Sequence, residues 1–229
     1  MKTTHKLEIC CQDIESVIAA KEGGADRVEL CSALETGGVT PSIGLIREAV
    51  KIFGNGVFVL IRERSGNYVY TPKEIAVMRE DIIAAKESGV SGVVIGALTD
   101  TNDIDVKSLS ILMEAAKGVE VTFHRAFDEV RNPCDALEAV IEAGCDRILT
   151  SGQESSAEKG INLLSEINRK AAGRIIILPG AGVTSLNCRE ILEKSGCREI
   201  HASAKEESHG SWKSSLEEIK KIKEKIMQL

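Results

Sequence analysis

The chain has 229 residues, of which 43% are hydrophobic and only 3% aromatic, and its formal net charge is −6. This length and composition fit one large α/β domain whose core is built from aliphatic side chains. The acidic balance argues against nucleic acid or an anionic membrane surface as a partner, and no apolar stretch approaches the roughly 20 residues of a membrane span.

The seven cysteines and the N-terminal residues indicate the cellular compartment in which the protein is expected. Residues 1–6 lead into Glu8 without the apolar stretch of a secretion signal, so we expect a cytoplasmic protein. In that reducing compartment the cysteines are expected to be thiols, and their odd number fits poorly with a complete internal disulfide framework. Since no CxxC pair is present, a preformed structural zinc site is not expected.

Runs of β-branched and aliphatic residues predict eight strands that alternate with amphipathic helices. The strands are predicted near residues 6–11, 27–32, 57–62, 92–98, 120–126, 147–152, 174–179 and 199–204. The helices are predicted near residues 14–23, 43–53, 72–88, 106–117, 134–143, 156–171, 185–195 and about 214–229. Four helices end at a glycine that leads directly into the next strand, which is typical of βαβ units: Gly23, Gly89, Gly144 and Gly196.

Eight βα units without a linker predict a single-domain (β/α)₈ TIM barrel over residues 1–229. A doubly wound open sheet is the alternative, but no GxGxxG follows the first strand. In a barrel, the functional groups are expected at the C-terminal ends of the strands.

The first two strands each carry a Glu-x-Cys segment, with Glu8 and Cys10 in one and Glu29 and Cys31 in the other. Strand alternation places the glutamate and the cysteine of each segment on the same side. Inward-facing glutamates would need a cationic partner or raised pKa values. The cysteines are interpreted either as small apolar core residues or as a thiol pair at the barrel mouth.

Cationic and titratable groups end the third and fifth strands. Arg62 follows an apolar strand and could bind a carboxylate or phosphate, or neutralise the two glutamates. His124 ends the fifth strand with Arg125 and Asp128 close behind, so it could be a general base, an electrophile or a metal ligand. The alternative for His124 is a hydrogen-bonded structural group.

The last two strands end in a glycine-rich turn and a histidine. Gly180 and Gly182 follow the seventh strand, and His201 and Ser203 lie on the eighth. Because loops after strands seven and eight of many barrels bind phosphate, Gly180, Gly182 and Ser203 are candidate anion-binding residues. Glycine-rich turns also occur simply to reverse the chain.

Several segments together resemble the CutC family of copper homeostasis proteins over about residues 7–204. The segments that carry the resemblance are 7–10, 23–32, 37–42, 122–128, 149–152 and 201–204. The resemblance implies a cytoplasmic barrel, as a monomer or small homo-oligomer, with a role in copper handling and no established reaction. Glu63 stands where the family tends to have proline, and Ala181 interrupts a turn that is usually all glycine.

Two functional hypotheses follow. The first is a copper-handling protein that binds Cu(I) weakly and without an organic cofactor, since this soft ion prefers thiolate ligands. Its candidate ligands are Cys10 and Cys31, followed by His124 and His201.

The second hypothesis is a TIM-barrel enzyme with lyase- or isomerase-like acid–base chemistry on a small anionic or phosphorylated metabolite. Its candidate catalytic residues are Glu8, Glu29, Arg62, His124, Arg125 and Asp128. Within that set, His124 or Glu29 would be the acid–base group and Arg62 the anion clamp. A satisfied salt-bridge network with no catalytic role stays open as a third interpretation.

Overall fold

The computed structural model describes residues 5–208 and 211–229, which form eight βα units and one additional hairpin. The barrel strands are β1 Lys6–Cys11, β2 Arg27–Leu30, β3 Val57–Leu60, β4 Gly92–Ile95, β5 Glu120–Phe123, β6 Arg147–Thr150, β7 Ile176–Pro179 and β8 Glu199–Ala202. The helices are α1 Ile14–Glu22, α2 Ile43–Phe53, α3 Pro72–Glu87, α4 Val106–Ala116, α5 Pro133–Glu142, α6 Ile161–Ala171, α7 Cys188–Ser195 and α8 Leu216–Met227. A hairpin of β9 Lys205–Ser208 and β10 Ser211–Ser214 lies between β8 and α8.

The eight barrel strands are parallel and follow the order β7-β6-β5-β4-β3-β2-β1-β8. β1 pairs with both β2 and β8, and β7 contacts β8 without a hydrogen-bonded ladder. The register places Cys10 opposite Glu29, and Glu8 opposite both Arg27 and His201. The predicted TIM barrel is therefore confirmed.

The larger core lies between the strands and the surrounding helices. Leu7, Ile9 and Cys11 of β1 are fully buried in it, because alternate residues of each strand face outward toward the helices. Local sequence signals determine where helices begin. At α3, Thr71 and Glu74 form a capping box, and Pro72 occupies the first helical position.

A separate and smaller apolar cluster occupies the barrel interior. It consists of Cys10, Cys31, Phe58, Leu60 and Val94. Gly92 on β4 makes room for it, since a Cβ there would lie 2.3 Å from the Phe58 ring. The remaining interior positions are largely polar, which is unusual for a core of this kind.

Several elements differ from the sequence-based expectation. The prediction extended the fifth strand to residue 126, but β5 ends at Phe123, and residues 125–129 form a 3₁₀ turn. The predicted helix 156–171 begins only at Ile161, because Gly152 and Gly160 bring two backbone segments into contact: a Cβ on Gly160 would lie 1.9 Å from the Ser151 carbonyl oxygen. The hairpin before α8 was not predicted, and α8 begins at Leu216 rather than near residue 214.

Over the described ranges, no helix is both long enough and apolar enough to cross a lipid bilayer.

Candidate functional site

A cavity of about 510 Å³ opens at the C-terminal ends of the barrel strands. Every residue that the sequence marks as a site candidate lines this cavity, except Glu8 and Gly180. The lining candidates are Cys10, Glu29, Cys31, Arg62, His124, Arg125, Asp128, Gly182, His201 and Ser203. The strand ends therefore bring together residues that are far apart in the chain, as expected for a barrel.

The two barrel-mouth thiols converge. The Sγ atoms of Cys10 and Cys31 lie 3.7 Å apart, much farther than the roughly 2.05 Å of a disulfide bond. The hydrogen bond with Cys31, burial, and the charge of Glu29 raise the pKa of the Cys10 thiol well above its usual value. Cys10 is therefore protonated at neutral pH, and all seven cysteines of the protein are free thiols.

A carboxylate and an imidazole join the first thiol. One potential ligand atom from each of Cys10, Glu29 and His201 lies within 4.8 Å of the others. All three side chains are buried. His201 is therefore the histidine that the barrel brings to the Cys10 thiol, whereas His124 is not a member of this group.

His201 lies between two glutamates. Its Nδ1 is 2.6 Å from Oε1 of Glu8, and its Nε2 is 3.8 Å from Oε2 of Glu29. Burial alone would lower the pKa of His201, but the hydrogen bond to Glu8 and the charges of both glutamates raise it overall. Burial raises the pKa of Glu29, which the His201 charge only partly offsets. The three residues thus form a buried chain of proton-binding groups that reaches the cavity.

Glu8 is kept ionised by its partners. Burial opposes its charge, but the Arg27 guanidinium and the hydrogen bond from His201 hold the pKa of Glu8 at about 2. Glu8 therefore orients His201 rather than exchanging protons near neutral pH.

A buried ion network lies below the cavity, and its members Arg27, Arg147 and Glu199 were not among the residues that the sequence marked as candidates. Arg27 pairs with Glu8 and donates to Glu199 at 2.7 Å, and Arg147 donates to the same Glu199 oxygen at 2.9 Å. Both guanidinium groups lie over the Phe58 ring, at 5.0 and 5.4 Å. Strand alternation, which places Glu8 and Cys10 on one face of β1, also places Arg27 on the same face of β2 as Glu29. It could therefore have predicted that Arg27 points into the barrel.

Arg62 makes a different set of contacts. Its NH1 and NH2 groups donate to the carbonyls of Gly38 and Gly66, at 2.9 and 2.6 Å, and its guanidinium lies 4.9 Å from the Tyr68 ring centre. In the part of the chain that the structure describes, no carboxylate forms an ion pair with it, so Arg27 rather than Arg62 neutralises Glu8. The Nε of Arg62 is buried and has no acceptor among the described residues. A buried positive charge thus lies in the cavity wall without an ion-pair partner among the described side chains.

His124 is held as a neutral hydrogen-bond donor. Its Nδ1 accepts the backbone N–H of Ala126 at 3.1 Å, so the ring proton resides on Nε2. Burial and the nearby Arg62 charge lower the pKa of His124 to about 3. Its Nε2 finds no acceptor in the described structure, and a buried donor in this state costs on the order of 1–3 kcal/mol. Gly96 accommodates the ring, since a Cβ there would lie 2.5 Å from it.

Asp128 holds the loop after β6. Its Oδ1 accepts hydrogen bonds from the Thr150 hydroxyl at 2.5 Å and the Ser151 N–H at 2.9 Å, and its Oδ2 accepts from Arg125 at 2.8 Å. The carboxylate is thus occupied by donors, and the arrangement fits a positioning role. The predicted catalytic roles of Asp128 and Arg125 stay predictions.

The turn after β7 has fewer free donors than a phosphate cradle would use. The N–H of Gly180 donates to the Thr150 carbonyl at 2.9 Å, and its missing Cβ leaves room for Leu149 and His201. The N–H groups of Thr184 and Ser185 are also bonded within the protein, at 2.9 and 2.6 Å.

Two other parts of the predicted anion site do face the cavity. Gly182 and Ser203 line it, and Ala181 between the two glycines of the turn has a left-handed backbone with φ of 83°. That conformation is uncommon for a residue with a side chain and holds the turn in a strained shape. Anion binding at Gly180, Gly182 and Ser203 stays a prediction.

Comparison with known proteins decides the family. The model of the CutC family matches residues 5–206. A CutC family protein of Bacteroides fragilis is 48% identical over 203 residues, covering 88% of this chain and 81% of the relative. The chain belongs to the CutC family. The resemblance inferred from the sequence motifs is thereby confirmed.

Two further CutC proteins extend the comparison. The human copper homeostasis protein cutC homolog is 45% identical over 199 residues, covering 87% of this chain and 73% of the relative. The crystal structure of CutC from Streptococcus agalactiae superposes with a TM-score of 0.84 at 32% identity, covering 87% of this chain and 99% of that one. All the residues that line the cavity, from Cys10 to Lys205, lie inside the region that the CutC family model matches.

Proposed function

We propose that this CutC protein takes part in copper homeostasis by binding Cu(I) reversibly at the barrel mouth. The observation that carries the proposal is the approach of the Cys10 and Cys31 sulfurs to 3.7 Å, beside Glu29 and His201. The human relative is named a copper homeostasis protein, which agrees with this chemistry. Seven free thiols suit a reducing compartment, so we place the protein in the cytoplasm.

The geometry suits a soft ion held by two sulfurs. With metal–sulfur bonds of about 2.3 Å, as for thiolate-bound zinc, two sulfurs that share one ion tetrahedrally lie about 3.8 Å apart. Cys10 and Cys31 therefore need little rearrangement. His201 is oriented by Glu8 through Nδ1, as metal-binding histidines usually are by a carboxylate, and this leaves Nε2 for the ion.

Binding has to displace protons from the thiols. Since the pKa of Cys10 is raised well above its usual value, Cu(I) competes with a proton that the site holds tightly. Affinity should therefore be moderate at neutral pH and rise with pH, as expected for a protein that passes its ion on.

The test is an anaerobic Cu(I) titration in competition with a chromogenic chelator, on the wild type and the Cys10→Ser/Cys31→Ser variant. We expect one equivalent of Cu(I) to bind with moderate affinity in the wild type, and this binding to be lost in the double variant. Cys134→Ser is the matched control, because Cys134 is only partly buried and does not line the cavity. Unchanged stoichiometry and affinity in the double variant would reject the assignment.

A second candidate function is acid–base catalysis in the same cavity. It is favoured by the chain from Glu8 through His201 to Glu29, in which an ionised carboxylate orients a histidine beside a carboxyl of raised pKa. A carboxyl group whose pKa lies closer to neutrality is suited to moving protons in lyase and isomerase reactions.

Hydrogen exchange of candidate substrates tests this second function. The protein is incubated in D₂O with a panel of small 2-oxo and 2-hydroxy acids, and loss of carbon-bound protons is followed by NMR. Exchange should be catalysed by the wild type and by Glu35→Gln, whose side chain is exposed and outside the cavity, but not by Glu29→Gln. Equal exchange with and without protein for all members of the panel would argue against catalysis.

A further inference from the structure

The cavity has a second wall that the copper proposal does not use. Arg62 and His124 are each 4% exposed, and both line the cavity. The Arg62 guanidinium and the His124 ring both contact Tyr68, with separations of 4.9 Å from its ring centre. These residues form one compact group on the loop after β3 and the end of β5, which we call the Arg62–His124 wall.

Each of the two side chains keeps one donor without an acceptor. For Arg62 it is Nε, since NH1 and NH2 donate to backbone carbonyls, and for His124 it is Nε2. The bond from Ala126 to Nδ1 fixes the ring so that Nε2 carries the proton. Buried donors normally have acceptors, and a buried guanidinium normally has a counter-charge. Here both are missing on the same wall of the same cavity, over the residues that the structure describes.

We propose that the Arg62–His124 wall is a binding site for the carboxylate of a small organic acid. A carboxylate supplies the negative charge that Arg62 lacks, and its oxygens become acceptors for Arg62 Nε and His124 Nε2 once a small side-chain rotation turns these buried donors toward the cavity. This proposal also names the substrate class for the enzyme candidate and in that sense rests on it, but the claim is binding, which stands without turnover.

The surroundings favour a carboxylate over a phosphate. Phosphate sites of barrels use several backbone N–H groups at a helix N-terminus. Here the N–H groups of Gly180, Thr184 and Ser185 already donate within the protein.

The size of the cavity limits the ligand. About 510 Å³ accommodates an acid of a few carbons together with water, and lies at the small end of ligand pockets. With its carboxylate at Arg62 and His124, such an acid would extend toward Glu29 and His201, which line the same cavity.

The test is calorimetric titration of the copper-free full-length protein with oxalate, pyruvate and inorganic phosphate at constant ionic strength. We expect oxalate and pyruvate to bind, and phosphate to bind more weakly than either. His124→Asn keeps an acceptor for Ala126 but removes the Nε2 donor, and should weaken oxalate binding about tenfold or more. His124→Gln, which restores a donor near the Nε2 position, should recover part of that loss.

Arg62 has a matched control two residues away. Arg64 also lies over a tyrosine and donates to backbone carbonyls, but it already pairs with Glu74. Arg62→Met should abolish oxalate binding, whereas Arg64→Met should leave it unchanged. Arg62 also donates hydrogen bonds to the carbonyls of Gly38 and Gly66, and Arg62→Met removes these bonds as well as the charge. Arg62→Lys, which keeps the charge, is therefore measured alongside and should retain more binding than Arg62→Met.

The outcomes of this binding test can be distinguished from those of the copper and proton-exchange tests. No binding of either carboxylate at tens of millimolar, tighter binding of phosphate than of oxalate, or equal losses in the Arg62→Met and Arg64→Met variants would each overturn the proposal. Cu(I) titration of Cys10→Ser/Cys31→Ser decides the copper site independently. Glu29→Gln should bind oxalate yet lose proton exchange, which distinguishes failed binding from failed catalysis.

Discussion

Two histidines at the same barrel mouth have opposite acid–base behaviour. His201 lies between Glu8 and Glu29, and these carboxylates raise its pKa in spite of burial. Burial and the Arg62 charge lower the pKa of His124 to about 3, and among the described residues no carboxylate offsets them. The sequence identifies both as candidates, because each ends a predicted strand, but their charge states depend on neighbours that are distant in the chain.

The low pKa of His124 predicts a pH dependence of stability. Between pH 6.5 and about 3 the unfolded chain holds a proton at this residue and the native protein does not, so the unfolding free energy falls as the pH is lowered. By pH 4.5 this group alone should remove about 2–3 kcal/mol. Urea unfolding at pH 7 and pH 4.5 should show a correspondingly smaller pH effect in His124→Asn. Identical pH effects in both proteins would contradict the charge state assigned here.

At the scale of elements, the strands were predictable because β-branched runs are buried on both faces of a parallel barrel. The hairpin β9–β10 was not, because Lys205–Ser208 and Ser211–Ser214 carry little apolar alternation. It is instead held by tertiary contacts: the Ser214 N–H donates to the Ser16 hydroxyl at 3.1 Å, and Gln12 donates to the Trp212 carbonyl at 3.0 Å. Such contacts leave no local signal in the sequence.

Removal of one of these contacts should loosen the hairpin selectively. Ser16→Ala leaves the buried Ser214 N–H without its acceptor, so amide hydrogen exchange over residues 211–214 should accelerate about tenfold or more. Exchange in α4 and α5 should not change. Ser110→Ala, on the exposed face of α4, is the control and should leave the hairpin unaffected. Equal exchange in the wild type and Ser16→Ala would show that other contacts hold the hairpin.

At the scale of the whole molecule, a network of buried ion pairs lies inside the barrel, below the cavity at the C-terminal ends of the strands. Arg27, Arg147 and Glu199 come from three strands and meet inside the barrel, and Arg27 also pairs with the Glu8 carboxylate, which is hydrogen-bonded to His201. The family and the barrel follow from sequence patterns, and so do most of the cavity residues. The partners of Glu8 do not, since closure of the barrel rather than chain order places Glu199 against Arg27 and Arg147.

This network should contribute strongly to global stability. Arg27→Met leaves the buried Glu8 carboxylate without its guanidinium partner and Glu199 with Arg147, and the expected loss in unfolding free energy is about 3–5 kcal/mol. Arg174→Met is the control, because Arg174 makes two hydrogen bonds to Glu138 but the pair is exposed, and little change is expected. Chemical denaturation measures both. Similar effects of the two substitutions would mean that the interior network is not a major source of stability.

The central claim is that the barrel mouth presents a thiol pair to Cu(I), and X-ray absorption at the copper edge tests it most directly. For the Cu(I)-loaded wild type we predict a first shell that contains sulfur from Cys10 and Cys31, and for Cys10→Ser/Cys31→Ser a shell without it. A first shell of only nitrogen and oxygen in the wild type, or the same sulfur shell in both proteins, would contradict the account.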